Sequence, residues 1–251
     1  MTVAPLPETD DPAAVVWLWA GHALYVGPSL ALQPHSTAVS VMVTGVGADV
    51  EVRAAGHTCV GRTVLIPPRT IHRVSTASTV AFCYFDAGSR RVQRCRDAMS
   101  QIEGPLALHH VREKEILRTL RASPIDPVTV LDVAAGADSI ADERIAQATA
   151  SLRAHPGHDY SAADLAAQVH LSTSRFLQLF AAHTGTSFRR YRLWTRMCRV
   201  GESIAKGGDL TTAAVDAGFA SPSHFSDTFH AMFGLSASTL LASGATLVVG
   251  D

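Results

Sequence analysis

The hydrophobic pattern changes period near the middle of the chain. In residues 15–86, short apolar or alternating runs are broken by turn residues. In residues 142–240, apolar positions recur every three or four. The first texture predicts strands at Val15–Ala20, Ala23–Gly27, Ala38–Thr44, Ala48–Ala54, Thr63–Ile66 and Val80–Phe85. Gly27-Pro28, Gly45–Gly47, Gly56 and Pro67-Pro68 separate them, as turns do in an antiparallel sandwich or barrel. Ala48 to Arg53 alternates cleanly, so that strand should have one wet face.

From Ser89 the pattern becomes helical. Val92, Cys95 and Met99 share one stripe of the segment 89–100. Ile116 and Leu120 share one face of Val111–Leu120, and Val128, Val130, Leu131 and Val133 mark a third helix over 127–137. Such short amphipathic helices can pack on a barrel or pair with a second copy of the chain. The last stretch with loop chemistry, Gly136–Ser139, is the natural domain boundary.

The second half is helical throughout. Ile145, Ala148 and Leu152 form the apolar face of a helix that ends before Pro156-Gly157. Ser161 can cap the next helix, with Asp164 near its positive end. Leu165 to Val169 is its small, apolar body. Ser172 then caps a helix that runs to Thr184 and closes at Gly185. Phe176, Leu179 and Phe180 point inward there, so Thr173, Ser174, Leu177 and Gln178 point outward. A long helix follows from Ser187 to about Lys206, its aromatic residues Tyr191 and Trp194 interleaved with arginines.

A second compact pair comes next, Leu210 to Gly234. Ala213, Ala214 and Ala217 give one helix a small face, Gly218-Phe219 turns the chain, and Ser221-Pro222 starts another helix. Phe225, Phe229 and Phe233 bind that helix to a core and leave Pro222, Ser223, Ser226 and Asp227 outside. Two helix pairs at a steep angle, each presenting one outer face, have the geometry of helix-turn-helix readers of the DNA major groove.

Two resemblances follow from these residues. Gly61 to His72, a glycine turn, a strand, Pro67-Pro68 and then His72, resembles a cupin signature, and His35 stands where many cupins begin their first motif. The His-x-His pair of metal-binding cupins is missing, with Thr37 in the second position, so no metal or other cofactor is expected. His35 and His72 are instead either hydrogen-bonded residues at the barrel mouth or candidate effector-binding residues of a barrel interior. The second half resembles the DNA-binding domain of the AraC/XylS family. That resemblance is carried by Leu165-Ala166, Leu171-Ser172, Phe180, Gly185, Arg192, Arg196, Arg199, Ala213, Gly218-Phe219, Ser221, Phe225-Ser226, Phe229 and Phe233-Gly234. Asp227 departs from the basic residue usual in the family at that position.

Together these imply two domains, an N-terminal all-β cupin-like barrel with appended helices and a C-terminal all-α domain with two helix-turn-helix motifs. The expected segments are a flexible 1–12, a sensor barrel 13–88, a helical dimerisation or linker region 89–137, and a DNA-binding domain 138–245. The resemblance implies a transcription regulator, not an enzyme. Its partners would be double-stranded promoter DNA, a small-molecule effector and a second copy in a homodimer, with RNA polymerase a further candidate. The alternatives are a metal-dependent cupin enzyme and a regulator-derived protein with weakened DNA binding.

Composition changes this picture in one respect. Lys and Arg number 21 against 22 Asp and Glu, so any DNA surface has to be local. It is found between Arg175 and Lys206, where Arg189, Arg190, Arg192, Arg196 and Arg199 face one acidic residue, Glu202. Arg175, Arg189, Arg190 and Lys206 are the expected phosphate contacts, and Thr173, Ser174, Leu177 and Gln178 the base readers of the first module. Pro222, Ser223, Ser226 and Asp227 take that place in the second. Cys59, Cys83, Cys95 and Cys198 lack metal or redox spacing and suit a reducing cytoplasm. The apolar run Val15 to Val26 is too short for a membrane span, and no membrane partner is expected.

Overall fold

The computed structural model describes residues 14–137, 139 and 142–250. The flexible segment expected at 1–12 lies outside them, as does Asp138 of the expected domain boundary. The N-terminal part contains β1 (Val15–Trp19), β2 (His22–Gly27), β3 (Val41–Gly45), β4 (Val50–Ala54), β5 (His57–Gly61), β6 (Thr63–Ile66), β7 (His72–Ser75) and β8 (Val80–Tyr84). It continues with α1 (Arg91–Asp97), β9 (Met99–Glu103), β10 (Leu106–His110), α2 (Glu113–Leu120) and α3 (Pro127–Ala135). The helical part comprises α4 (Glu143–Ala154), α5 (Ala162–Gln168), α6 (Thr173–Thr184), α7 (Phe188–Ala205), α8 (Leu210–Asp216), α9 (Pro222–Phe233) and α10 (Ala237–Ala242), and ends in β11 (Thr246–Val249).

The strands do not close into the expected barrel. They form an eight-stranded sheet in the order β11-β1-β2-β8-β3-β6-β10-β9 and a three-stranded sheet β5-β4-β7. Closure would require the end strands to pair, and β11 and β9 lie at opposite ends. The β9–β10 hairpin replaces part of the helical region expected at 89–137. Leu106 pairs with Glu103, and β10 joins the sheet through β6. Helix α1 is correspondingly short.

The large sheet is buried on both faces, which is why its strands read as continuous apolar runs. Tyr25, Val41, Val43, Ile66, Phe82 and Tyr84 point to one core, and Leu24, Val26, Met42, Leu65 and Cys83 to the other. The second core is sealed by Cys95, Ile116, Leu120, Val130 and Leu131. The apolar stripes of α1–α3 therefore pack largely within the chain, with Val128 left exposed.

The first core runs without interruption into the helical part, through Phe176, Phe180, Tyr191, Trp194 and Phe225. Local chemistry sets the helix limits there. Ser161 and Asp164 form a reciprocal capping box at α5. Ser172, Ser187, Asp209 and Ser221 each accept from backbone N–H groups at the starts of α6, α7, α8 and α9. Gly185 and Gly234 end α6 and α9 in the left-handed conformation. At Gly234 the conformation is joined by crowding, because an added Cβ would lie 2.4 Å from the Gln33 carbonyl.

The chain end returns to its beginning. β11 pairs in parallel with β1, Val15 opposite Thr246 and Leu18 opposite Val249. Thr246 N–H donates to Ala14 O at 2.8 Å and Gly250 N–H to Leu18 O at 2.9 Å, extending the ladder at both ends. No described helix is long and apolar enough to cross a membrane.

Candidate nucleic-acid interface

Helices α5 and α6 pack through Leu165, Ala166, Phe176 and Phe180, all buried. Phe188 and Tyr191 of α7 meet Phe180 edge to face at 5.7 Å, which fixes the rotation of α6. Thr173, Ser174, Arg175, Leu177 and Gln178 are consequently exposed, as the 3.6-residue period predicts. In the second pair Ala213, Ala214 and Ala217 are buried, and Phe219 meets Phe225 edge to face at 5.3 Å. Pro222, Ser223, Ser226 and Asp227 are exposed on α9. Each helix pair thus has a buried aromatic anchor and one small, mostly uncharged outer face.

The arginines divide into two groups. Arg175, Arg189 and Lys206 are exposed. Arg190, expected on phosphate, turns the other way. Its Nη2 donates to Ser36 O at 2.5 Å and to Ser36 Oγ at 2.9 Å, tying α7 to the sheet-rich domain. Arg192 pairs with Asp159 in the loop after α4. Arg196 donates to Pro156 O at 3.4 Å, and its guanidinium lies about 3.3 Å from where a Cβ on Gly218 would be. Arg192 thus ties α7 to the loop before α5, and Arg196 bridges that loop to the turn of the second pair. Arg199 is paired with Glu202 at 3.3 Å. A side chain as long as arginine can reach either side of its helix, so the sequence pattern could not assign these roles.

Behind α6 and α9 lies a polar joint. Asp86 is 6 % exposed and accepts from the Tyr191 hydroxyl at 2.5 Å, from Arg153 Nη1 at 2.9 Å and from Gly88 N–H at 3.1 Å. Trp194 Nε1 donates to Gly21 O at 2.9 Å. At the far end of α9, Gln33 N–H donates to Gly234 O at 2.8 Å and Ser36 N–H to Ala231 O at 3.2 Å. The helical part is therefore docked on the sheet through α7, α9 and β11 together.

His35 and His72 sit in this joint, paired across an isolated β-bridge with ring centroids 4.3 Å apart. Each gives one ring nitrogen to a nearby carbonyl, Gln33 O or Thr70 O. His72 Nε2 is buried and has no hydrogen-bond partner among the described residues. No third His, Cys, Asp or Glu joins them there, so among the described residues the pair does not fit a metal ion. Neither histidine lines the apolar cavity described below. They sit at the interface, packed on each other beside the end of α9.

Burial, and next to it the neighbouring His35, lowers the His72 pKa to about 4. The unfolded chain takes up this proton near pH 6.5, and the folded chain not until about pH 4. The folded pKa is depressed, so stability should fall as pH drops through that window, by on the order of 3 kcal/mol. Urea titrations at pH 7 and pH 4.5 should show the loss, and His72→Phe should flatten it. An unchanged slope in the variant would assign the pH dependence elsewhere.

Between the sheet and the helices is a cavity of about 130 Å³. Leu18, Tyr25 and Phe82 form its sheet wall, and Met197 and Phe229 belong to its helical wall. Leu247 of β11 closes one edge. At Gly201 an added Cβ would lie 2.5 Å from a Leu18 methyl, so α7 crosses β1 closely only because that side chain is missing.

A family model described as a helix-turn-helix domain matches residues 165–243. No curated protein matches the chain by sequence. Among solved structures, an apo, singly substituted ToxT from Vibrio cholerae is similar at 12 % identity, covering 89 % of this chain and 98 % of that one, with a TM-score of 0.59. Wild-type ToxT from Vibrio cholerae bound to an unsaturated fatty acid is similar at 13 % identity, covering 88 % and 94 %, with a TM-score of 0.52. ToxT from the same species bound to (E)-4-(8-methylnaphthalen-1-yl)but-3-enoic acid is similar at 12 % identity, covering 92 % and 98 %, with a TM-score of 0.53. At these identities the likeness is one of fold. The chain thus carries a C-terminal segment that matches a helix-turn-helix domain, joined to a sheet-rich domain in the two-domain fold that ToxT also has.

Proposed function

We propose that the protein is a transcription regulator that reads double-stranded promoter DNA with α6 and α9. Its sheet-rich domain would take up a small-molecule effector in the cavity against α7. The observation that carries this reading is the paired arrangement itself. Two capped helices present exposed polar faces, while their inner faces share one core with the sheet that walls the cavity. Ligands bound in the solved ToxT structures support an effector on this fold. Enzymatic chemistry finds less support, since the two histidines of the cupin-like segment are spent on an interface.

In this reading Gln178 can bond adenine through both amide atoms, Leu177 can touch a thymine methyl, and Thr173 and Ser174 can reach several base edges. Arg175, Arg189 and Lys206 position the backbone. Three phosphate contacts imply a fall of log K with log salt of slope about −2.7 for one helical domain. Fluorescence anisotropy of the full chain on promoter fragments, from 50 to 200 mM salt, tests this. Arg189→Ala should make the slope shallower by about 1. Arg190→Ala should leave the slope unchanged, because that side chain faces Ser36. Gln178→Ala should cost more selective affinity than Ser226→Ala. Salt-independent binding, or no preference for any promoter fragment with cell extract present, would overturn the reading.

A further inference from the structure

The cavity behind the reading helices is uniformly apolar. Among the described residues, no Lys, Arg, His, Asp or Glu lines it, and no Ser, Thr, Asn or Gln does either. Tyr25 donates its hydroxyl proton to Pro28 O at 2.7 Å and Trp194 its N–H to Gly21 O, which leaves the neutral Tyr84 hydroxyl and Cys198 thiol as the other polar groups of the lining. Cys198 reaches the wall from α7.

The charges just outside the wall are paired with one another. Cys198 is faced by Glu202 and Asp86, which, after burial itself, hold its thiol proton on. Arg153 opposes them but is already paired with Asp86. Glu202 in turn holds Arg199. Among the described residues that line the cavity there is no cation to receive an anionic head, and an ionised carboxylate placed there would lose its water with no charged partner in return.

We infer that this cavity takes an uncharged, apolar small molecule and rejects carboxylates of the same skeleton. The inference rests on the reading of the cavity as an effector site and names the chemical class of that effector. Size narrows it further. A dry cavity of roughly 150 Å³ holds a benzene ring, so this one suits a single ring or a short hydrocarbon. Because sheet, α7, α9 and β11 all contribute walls, such a ligand would touch both domains at once.

The test uses the full chain and three matched probes, toluene, benzoate and benzylamine, each titrated at pH 7.5. Methyl NMR of Met197 and Leu247 reports the site, and thermal shift reports the strength. Toluene should move those methyls and raise the melting temperature. Benzoate and benzylamine should bind at least about 100-fold more weakly, as expected when a charge must be buried unpaired. Cys198→Phe should fill the cavity and abolish the toluene response, with Ala237→Leu as a second filling variant should the first fold poorly. Benzoate binding as well as toluene would overturn the neutral class. No response to toluene in a folded protein that still binds promoter DNA would overturn the cavity as a ligand site and leave the regulator reading standing. A toluene response in a folded protein that selects no promoter fragment, with or without toluene, would do the reverse.

Discussion

Asp86→Ala is expected to lower the stability of the full-length protein by about 3 kcal/mol, the cost of stranding a largely buried cation. The carboxylate is 6 % exposed and Arg153 only 29 %, so water can do little for the guanidinium left behind. The Tyr191 hydroxyl, fully buried on α7, loses its acceptor as well, and Gly88 N–H loses a third bond. The loss is concentrated at the junction, since Asp86 belongs to the sheet-rich part and both Arg153 and Tyr191 to the helical part. Urea denaturation measures the total. Tyr191→Phe should cost about 1 kcal/mol by itself, the worth of one ordinary hydrogen bond. In the double variant the two losses should not add, because they remove the same bond. Full additivity would show that Asp86 acts through something other than this network.

Removing residues 245–251 is expected to free β1 as an edge strand and to destabilise the junction by about 2 kcal/mol, from the lost ladder and the apolar area of Leu247. Val15, Trp17 and their neighbours lose hydrogen-bond partners in β11, whereas β2 still pairs with the other edge of β1. Hydrogen exchange should read this directly. The β1 amides that face β11 should exchange roughly 30-fold faster, the factor that corresponds to 2 kcal/mol. Amides of β3 and β8, in the middle of the sheet, should not change. Leu247→Asp is the point-substitution counterpart, since it sets a carboxylate at the cavity edge beside Leu18 and Gly201. Unchanged exchange in β1 after truncation would mean that the parallel pairing contributes nothing to holding the two parts together.

The helical half was legible because its determinants are local. Ser161, Ser172, Ser187 and Ser221 begin helices by bonds to residues two or three positions on, and Gly185 and Gly234 end them through their own φ. The outward set on α6 follows from a 3.6-residue period once Phe176 and Phe180 are assigned inward. The sheet-rich half was legible as strands but not as an architecture. Its central strands are buried on both faces, so alternation vanishes and nothing in the pattern says which strand is an edge. Met99-Ser-Gln-Ile-Glu103 could continue a helical stripe as readily as form β9, and only pairing with β10 decides it.

The candidate site divides along the same line. Which residues could face DNA was set by sequence, through the spacing of aromatic anchors and caps on two similar helix pairs. Which of them remain available was decided by tertiary structure. Arg190, His35 and His72 carry suitable chemistry for a phosphate or an effector, yet packing commits all three to the junction. The same packing joins β11 to a strand at the other end of the chain and encloses an apolar cavity that no motif announced. Helix limits and outer faces depend on neighbours a turn away and can be read along the chain. The junction depends on contacts between residues 67 or more positions apart, and these exist only once the chain has folded.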